Sequence, residues 1–307
     1  MTAEAPPQVV AWTEGVACEP GASKPDAILV AEEVRRSFGG LVAVDVEHIE
    51  VQRGAITALI GPNGAGKTTL FNLLTGFDKP SSGRWKFNGC DIAGQAAYKV
   101  AREGMVRTFQ LTKSLALLSV LDNMKLGGTG QQGEKMFFGL IPVLWRNQER
   151  AIEARAEELL DRFNLTRLRD DFAGSLSGGQ RKLLEMARAL MVQPQLVMLD
   201  EPMAGVNPAL TQSLLGYIKG LRDEGMTVVF VEHDMDVVYD ISDWVIVLAE
   251  GRVIAEGPPD VIGANPAVID AYLGRHHDAP TTEAEVEQRL AEAEAAIAAE
   301  EAAAEDD

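Results

Sequence analysis

One stretch near the start of the chain decides the fold. It reads Ala58-Leu59-Ile60-Gly61-Pro62-Asn63-Gly64-Ala65-Gly66-Lys67-Thr68-Thr69-Leu70. The apolar run that ends at Ile60 predicts a short buried strand, and the apolar residues within 70–74 predict the buried side of a helix. The glycines between them permit a loop whose backbone amides point inward, and the dipole of the following helix adds to the attraction for an anion.

The loop has the pattern G-x-x-x-x-G-K-T, which is typical of proteins that bind a nucleoside triphosphate. In such a loop the amides surround phosphate groups, the lysine reaches the outer phosphates and the threonine hydroxyl ligates Mg²⁺. A tight turn without a ligand is the alternative, and the flanking strand and helix make it the weaker one. The sequence therefore predicts nucleotide binding at Gly61, Pro62, Asn63, Gly64, Ala65, Gly66, Lys67, Thr68 and Thr69, with Thr68 also a metal ligand.

The composition is that of a globular protein: 46% of the 307 residues are hydrophobic and 24% are charged. The net charge is −18, and residues 283–307 alone hold ten acidic side chains and one arginine. Because the rest of the chain is also mildly acidic, we exclude nucleic acid as a main partner. The two cysteines, Cys18 and Cys90, show no spacing typical of a metal or redox site.

The sequence shows no secretory signal and no apolar run of the roughly 20 residues that span a membrane, which predicts a cytoplasmic protein. The prolines of residues 1–26 predict a disordered arm. The Ala- and Glu-rich residues 276–307 predict a marginal or disordered helix, with a partner-binding helix as the alternative. Residues 111–190 predict a helical insert, in which the apolar stretch 136–145 is either a buried helix end or an exposed patch for a partner.

Two predicted strands end in groups that can act on a phosphate. Asp200 and Glu201 follow a buried apolar run, and there Asp200 suits Mg²⁺ while Glu201 suits a water molecule aligned on the γ-phosphate. His233 follows the next predicted strand and is either structural or close to the same edge of the sheet. Phe38 precedes a glycine turn and is either a core residue or a ring that stacks on a base.

A second helix start suited to an anion lies at Ser177-Gly178-Gly179-Gln180. The serine is a good N-cap, but the two glycines lower the helix propensity and no local structural reason explains them. Gln110, at the end of a predicted strand, has no significance when it is considered alone.

These motifs, in this order, resemble those of the ATP-binding subunits of ABC transporters over about residues 28–275. The matching positions are Gly61–Thr68 for the Walker A loop, Gln110 for the Q-loop, Leu176–Gln180 for the LSGGQ signature, Leu196–Glu201 for the Walker B strand, His233 for the switch histidine and Phe38 for the aromatic A-loop. The resemblance implies an α/β fold: a P-loop (RecA-like) core with an antiparallel β subdomain and a helical subdomain at about residues 111–190. The implied ABC ATPase domain covers residues 27–275.

The resemblance further implies a head-to-tail pair of subunits, identical or different, with two ATP and Mg²⁺ at the interface. The signature residues Ser177, Gly178, Gly179 and Gln180 of one subunit would then meet the γ-phosphate of the ATP bound to the other. The implied catalytic residues are Glu201 as general base, His233 on the γ-phosphate, and Lys67. The implied metal ligands are Thr68, Gln110 and Asp200, and Gln110 would also connect the site to the transmembrane permease subunits.

Within the family, Arg107–Gln110, Ala204–Pro208, Glu232–Met235 and Asn265–Gly274 resemble the ATP-binding subunits of branched-chain amino acid importers. One position departs, since Asn207 stands where many relatives carry aspartate. The implied function is ATP hydrolysis that drives import, on the inner face of the membrane, with permease subunits and indirectly a solute-binding protein as partners. An importer ATPase for urea or short amides, and a soluble ABC ATPase without a transport role, are the alternatives.

Overall fold

A computed structural model describes residues 12–108, 116–128 and 142–273. Its strands belong to two sheets. In chain order they are β1 (Ala27–Phe38), β2 (Leu41–Gln52), β3 (Ile56–Ile60), β4 (Ser82–Phe87), β5 (Cys90–Asp91), β6 (Met105–Arg107), β7 (Leu196–Asp200), β8 (Thr227–Val231), β9 (Trp244–Ala249) and β10 (Arg252–Gly257).

The smaller sheet is antiparallel and has the strand order β2-β1-β4-β5. Its first hairpin turns at Gly39–Gly40, so that Phe38 and Leu41 pair across the turn, as the glycines predicted. The strands β4 and β5 meet at Asn88–Gly89, and Asn88 has a positive φ of 49°. The predicted antiparallel β subdomain is thereby confirmed.

The larger sheet has the order β10-β9-β3-β8-β7-β6, and only its edge strand β10 is antiparallel to its neighbour. Every residue of β3 and β8 is buried, which explains why both strands read as continuous apolar runs rather than alternating ones. Because β3, β7 and β8 are parallel, their carboxyl ends meet at one edge of the sheet, where open α/β sheets bind ligands. The strand β8 lies between the other two, so the groups that follow all three strands are neighbours.

The helices are, in chain order, α1 (Lys67–Leu74), α2 (Ala97–Arg102), α3 (Val120–Lys125), α4 (Pro142–Arg162), α5 (Gly178–Ala189), α6 (Pro208–Asp223), α7 (Met235–Ile241), α8 (Pro259–Gly263) and α9 (Pro266–Leu273). Between α4 and α5, Asn164 has a positive φ of 56°. This left-handed residue ends the long helix.

The helical insert packs through α3, α4 and α5. Met124, Leu160 and Leu184 belong to one buried cluster that continues into the large sheet through Val197 and Phe230. The helices within 116–128 and 142–189 agree with the predicted helical subdomain, although its limits at 111 and 190 stay predictions. Gln110, most of the apolar stretch 136–145 and the tail 276–307 lie outside the described residues.

The prediction of a disordered arm at residues 1–26 is wrong for residues 12–26, which pack against the end of the large sheet. The Lys24 ammonium donates to Glu256 Oε2 at 2.9 Å, and the amide of Ala22 donates to Glu256 Oε1 at 2.7 Å. The indole of Trp244 donates to Glu256 Oε2 at 2.9 Å, and its ring lies 5.5 Å from that of Trp12. We call residues 12–26 together with Trp244 and Glu256 the N-terminal clasp. Prolines suit such a segment of turns and bends as well as they suit a disordered one.

Candidate nucleotide site

The loop after β3 requires glycine at two of its positions. Gly61 and Gly66 have φ values of 145° and 101°, and Gly66 adjoins the first residue of α1. A Cβ on Gly61 would lie 2.0 Å from the carbonyl oxygen of Leu248, and one on Gly66 would lie 2.4 Å from that of Ala43. Because backbone atoms cannot yield as a flexible side chain can, the neighbouring strands exclude larger residues. The loop is therefore held in one shape between β2 and β9.

Lys67 lies back across this loop. Its ammonium donates to the carbonyl of Gly61 at 2.6 Å and to the carbonyl of Pro62 at 3.0 Å. The side chain is half-buried, whereas Asn63, Gly64 and Thr68 are exposed. An ammonium carries three N–H donors. Phosphate oxygens beside the loop could accept the hydrogen bonds that now go to neutral carbonyls, and the positive charge of Lys67 would then be paired with a negative one.

At the end of β7, Asp200 forms an ion pair with Arg107 of β6. The guanidinium donates through Nη2 to Asp200 Oδ2 and through Nη1 to the amide oxygen of Asn72 on α1. The two charged side chains are only 7% and 11% exposed. One buried arginine therefore connects the carboxylate at the end of β7 to the helix that follows the glycine loop.

Glu201 has a positive φ of 45°, in the left-handed region that non-glycine residues rarely adopt. Such a backbone costs on the order of 1 kcal/mol and is found preferentially at functional sites. Hydrogen bonds to its backbone hold it: its amide donates to Val231 O at 3.1 Å, and its carbonyl accepts from the amide of Ala204 at 3.1 Å and from Lys182 Nζ at 3.2 Å. Because of this positive φ, the chain leaves the direction of β7 at Glu201, directly after Asp200, the last residue of the strand.

His233 and Glu232 follow β8 and differ in their exposure. The imidazole of His233 is 67% exposed, while Glu232 is 1% exposed. Glu232 Oε1 accepts from the amide of Met203 at 3.0 Å, and Oε2 accepts from the amide of His233 at 3.3 Å. Burial raises the pKa of Glu232, and the two amides oppose that shift. The exposed imidazole can reach a ligand, whereas the buried carboxylate cannot.

The comparisons with known proteins agree with these motifs. Residues 45–204 match the family model described as ABC transporter. The chain belongs to the ABC transporter family. Residues 252–278, which contain β10, α8 and α9, match a second model, described as branched-chain amino acid ATP-binding cassette transporter. The family predicted from the sequence is therefore confirmed.

Relatives and solved cassettes match most of the chain. The high-affinity branched-chain amino acid transport ATP-binding protein BraF of Pseudomonas aeruginosa is 40% identical over 250 residues, which cover 80% of this chain and 98% of BraF. A probable branched-chain amino acid transport ATP-binding protein, LivG, of Archaeoglobus fulgidus is 40% identical over 247 residues, 80% of this chain and 95% of LivG. A crystal structure of the ADP conformation of an ABC transporter cassette has a TM-score of 0.71 at 37% identity, with 81% of this chain and 99% of that chain covered. The predicted fold class is confirmed.

The predicted signature of this ABC cassette begins α5 with a capping box. Ser177 Oγ accepts from the amide of Gln180 at 3.2 Å, and Gln180 Oε1 accepts from the amide of Ser177 at 2.9 Å. A Cβ on Gly179 would come within 2.0 Å of Leu210 Cδ2, so a larger residue here would require the Leu210 side chain to move, a packing contact that the sequence did not show. Gly178 has no such constraint, since a Cβ there would be 3.8 Å from its nearest neighbour, the carbonyl of Gly205.

Asn207, the position at which the sequence departs from the pattern that the resemblance implies, caps the helix α6. Its side-chain oxygen accepts from the amide of Leu210 at 2.9 Å, and Pro208 is the first helical residue. Asparagine and aspartate are about equally good N-caps, so the helix start keeps its geometry without the negative charge.

Phe38 is 48% exposed and lies at the hairpin turn, with the guanidinium of Arg36 4.4 Å from the centre of its ring. A core role for Phe38 is therefore wrong, and the other interpretation, a ring that stacks on a base, stays a prediction. Gln110, the predicted Q-loop residue, lies outside the described part of the cassette.

Tyr272 of α9 is a contact of the nucleotide loop that the sequence did not predict. Its hydroxyl oxygen is buried, and the nearby backbone amide of Gly61 partly offsets the rise in the pKa of Tyr272 that burial causes. Arg107 and Glu232 were likewise quoted only as parts of family motifs. For Arg107 and Glu232 the sequence offered one signal, a polar residue at or directly beside a strand end. For Tyr272, more than 200 residues from the loop, the sequence offered no signal.

Proposed function

We propose that this ABC cassette is the ATP-binding, ATP-hydrolysing subunit of an importer for branched-chain amino acids. The observation that carries the substrate class is the match of residues 252–278 to the branched-chain amino acid model, supported by the similarity to the amino acid transport proteins BraF and LivG. The glycine loop with its lysine supports the nucleotide part of the proposal.

Lys67 would transfer its donors from the carbonyls of Gly61 and Pro62 to the outer phosphates of ATP. Within the described ranges, no group of three His, Cys, Asp or Glu side chains could hold a metal by itself. The hydroxyl of Thr68 and the carboxylate of Asp200 fit Mg²⁺ nonetheless, because this ion usually takes one or two protein oxygens and completes its shell with water and phosphate. Bound there, Mg²⁺ would neutralise charge on the phosphates.

Glu201 would accept the proton of the attacking water, and His233 would donate to the γ-phosphate. The strained backbone of Glu201 and the exposure of His233 support these roles. Hydrolysis also needs a second subunit in this proposal. Ser177 and Gly178 are exposed at the start of α5, which supports their contact with the ATP of a partner subunit, whether identical or different.

The permease would dock on the helical subdomain. Leu117, Leu126 and Phe172 are 86%, 58% and 64% exposed. Leu117 and Phe172 lie on adjoining segments, since Ser119 and Phe172 form a bridge. These apolar side chains support a protein contact, and Leu117 follows shortly after the predicted Q-loop residue in the sequence. In the part of the chain that the structure describes, no helix is long and apolar enough to cross a membrane.

The first experiment tests the chemistry with Glu201→Gln. Glutamine cannot accept the proton, so ATPase turnover should fall at least about 100-fold, the lower end of the range for general-base catalysis, while ATP affinity persists. Size-exclusion chromatography with ATP should show a stable dimer. A variant with wild-type turnover would contradict the role of Glu201 without affecting the nucleotide loop.

The second experiment tests the partners and uses the tagged full chain purified from mildly solubilised native membranes. Two polytopic membrane proteins and a second cassette should copurify, and the solute-binding protein encoded with them should bind leucine, isoleucine or valine. A solute-binding protein specific for urea or amides would contradict the substrate class. Recovery only with ribosomes or nucleic acid would contradict transport altogether.

A further inference from the structure

The carboxylate of Glu232 connects the two loops that carry the proposed catalytic groups. Met203, whose amide donates to Oε1, comes two residues after Glu201. His233, whose amide donates to Oε2, is the switch histidine itself. The strand residue before Glu232, Val231, accepts from the amide of Glu201. Two catalytic side chains from different strands are thus fixed to one another through one buried residue.

The surroundings of Glu232 differ from those of an ordinary buried ion pair. Among the described residues no lysine or arginine forms a salt bridge with it; the exposed imidazole of His233 lies 3.8 Å away, and Glu201 is a neighbour of like charge. A buried carboxylate that is held mainly by backbone amides is unfavourable unless it does something that an apolar side chain cannot. Here it satisfies two amides in two separate loops, one with each oxygen.

We propose that Glu232 is a positioning residue that holds the loop of Glu201 and the loop of His233 in the relative arrangement that ATP hydrolysis requires. The proposal rests on the proposed function. In this arrangement the distance between Glu201, the general base, and His233, the contact of the γ-phosphate, is set by Glu232, which contacts neither the attacking water nor the nucleotide. A displacement of about 1 Å at such a distance can lower a rate about 100-fold.

The test compares Glu232→Gln with a matched control, Glu256→Gln, in the purified full chain. Both positions are 1% exposed carboxylates, but Glu256 belongs to the N-terminal clasp. Glutamine has one acceptor oxygen, so it can serve only one of the two amides. The kcat of Glu232→Gln should fall at least 10-fold while KM for ATP changes less than about 3-fold. Glu256→Gln should lose stability and keep its kcat per folded molecule.

Rates are normalised to the number of sites that bind a non-hydrolysable ATP analogue, so partial unfolding of a variant does not affect them. Glu232→Asp, which keeps the charge but is one methylene shorter, should fall in kcat as well. A cycle with His233→Ala supplies the decisive readout: if Glu232 positions His233 relative to Glu201, Glu232→Gln should lower kcat by a smaller factor in the His233→Ala background than in the wild type.

Two outcomes would overturn the positioning role: a wild-type kcat in Glu232→Gln, or losses from Glu232→Gln and His233→Ala that multiply in the double variant. A wild-type chain whose ATPase rate equals that of Lys67→Ala would instead overturn the proposed function. The two failures are therefore distinguishable within one set of measurements.

Discussion

Two lysines, Lys67 in the nucleotide loop and Lys24 in the N-terminal clasp, show how differently one side chain can be used in this molecule. Both donate to backbone carbonyls, Lys67 to Gly61 and Pro62 and Lys24 to Ala22. Lys24 also pairs with Glu256 and lies 4.4 Å from the centre of the Trp244 ring, and its side chain is 1% exposed. Lys67 is half-buried beside exposed loop residues.

The difference indicates which lysine can change partners. Carbonyl oxygens are neutral, so a phosphate competes well for the donors of Lys67. A carboxylate, an indole ring and nearly complete burial make the partners of Lys24 costly to exchange. We therefore expect the two lysines to control separate properties, ATP affinity in one region and stability in the other.

The largest effect is expected from Lys67→Ala. The loss of several charge-assisted hydrogen bonds, each about 1.5–3 kcal/mol, should weaken ATP binding at least about 1000-fold. The melting temperature without ATP should change little, because the donors of Lys67 go only partly to buried groups. Isothermal titration with ATP and a thermal melt of the same sample check both statements. Unchanged ATP affinity would contradict the assignment of the loop.

The next effect is expected from Lys24→Ala. It leaves Glu256 buried without its cation, which typically costs about 3–5 kcal/mol of the free energy of unfolding. Urea denaturation measures this loss, and ATP affinity of the folded variant should equal that of the wild type. Lys219→Ala is the control, because its pair with Asp240 is 37% and 44% exposed and should contribute less than about 1 kcal/mol. Equal losses in the two variants would refute the clasp as a stabilising unit.

The smallest effect concerns pH and a third buried pair, Arg222 with Asp243, 3.0 Å apart. Asp243 also accepts from the amide of Ile56, at the start of the strand that leads to the nucleotide loop. Burial raises the pKa of Asp243 despite both donors. A raised pKa favours the folded state at low pH, and this contribution is lost as the pH rises through the folded pKa.

As the pH is lowered from 7 to 4.5, the free energy of unfolding of the wild type should therefore increase relative to that of Asp243→Asn. Urea denaturation at several pH values gives the difference, in which the titration of all other carboxylates cancels. A difference that does not vary with pH would contradict the shifted pKa. ATP binding at pH 7 should not distinguish the variants.

The nucleotide loop could be predicted because its determinants are local. Strand, glycines, lysine and helix follow one another within 13 residues, and each acts through the conformation of its own backbone. The hairpin at Gly39–Gly40 was predictable for the same reason. The signature serine was recognised as a cap because capping depends on the next three residues.

Contacts between distant segments could not be read from the sequence. Lys24 meets Glu256 across 232 positions, and Arg107 meets Asp200 across 93. The prolines near Lys24 favour an extended chain, and whether that chain stays free or packs depends on the sheet that it meets. Gly179 is a similar case, because its neighbour Leu210 belongs to another helix.

The long separation within the clasp also has a consequence in time. At about 5–20 residues per second, a ribosome needs roughly 10–50 s to synthesise the 232 residues that separate Lys24 from Glu256. Throughout that period the indole of Trp12 and the stem of Lys24 lack their native partners. Residues 12–26 are thus among the last to reach their native positions. They pack against the large sheet only after β10, its last strand, has been synthesised.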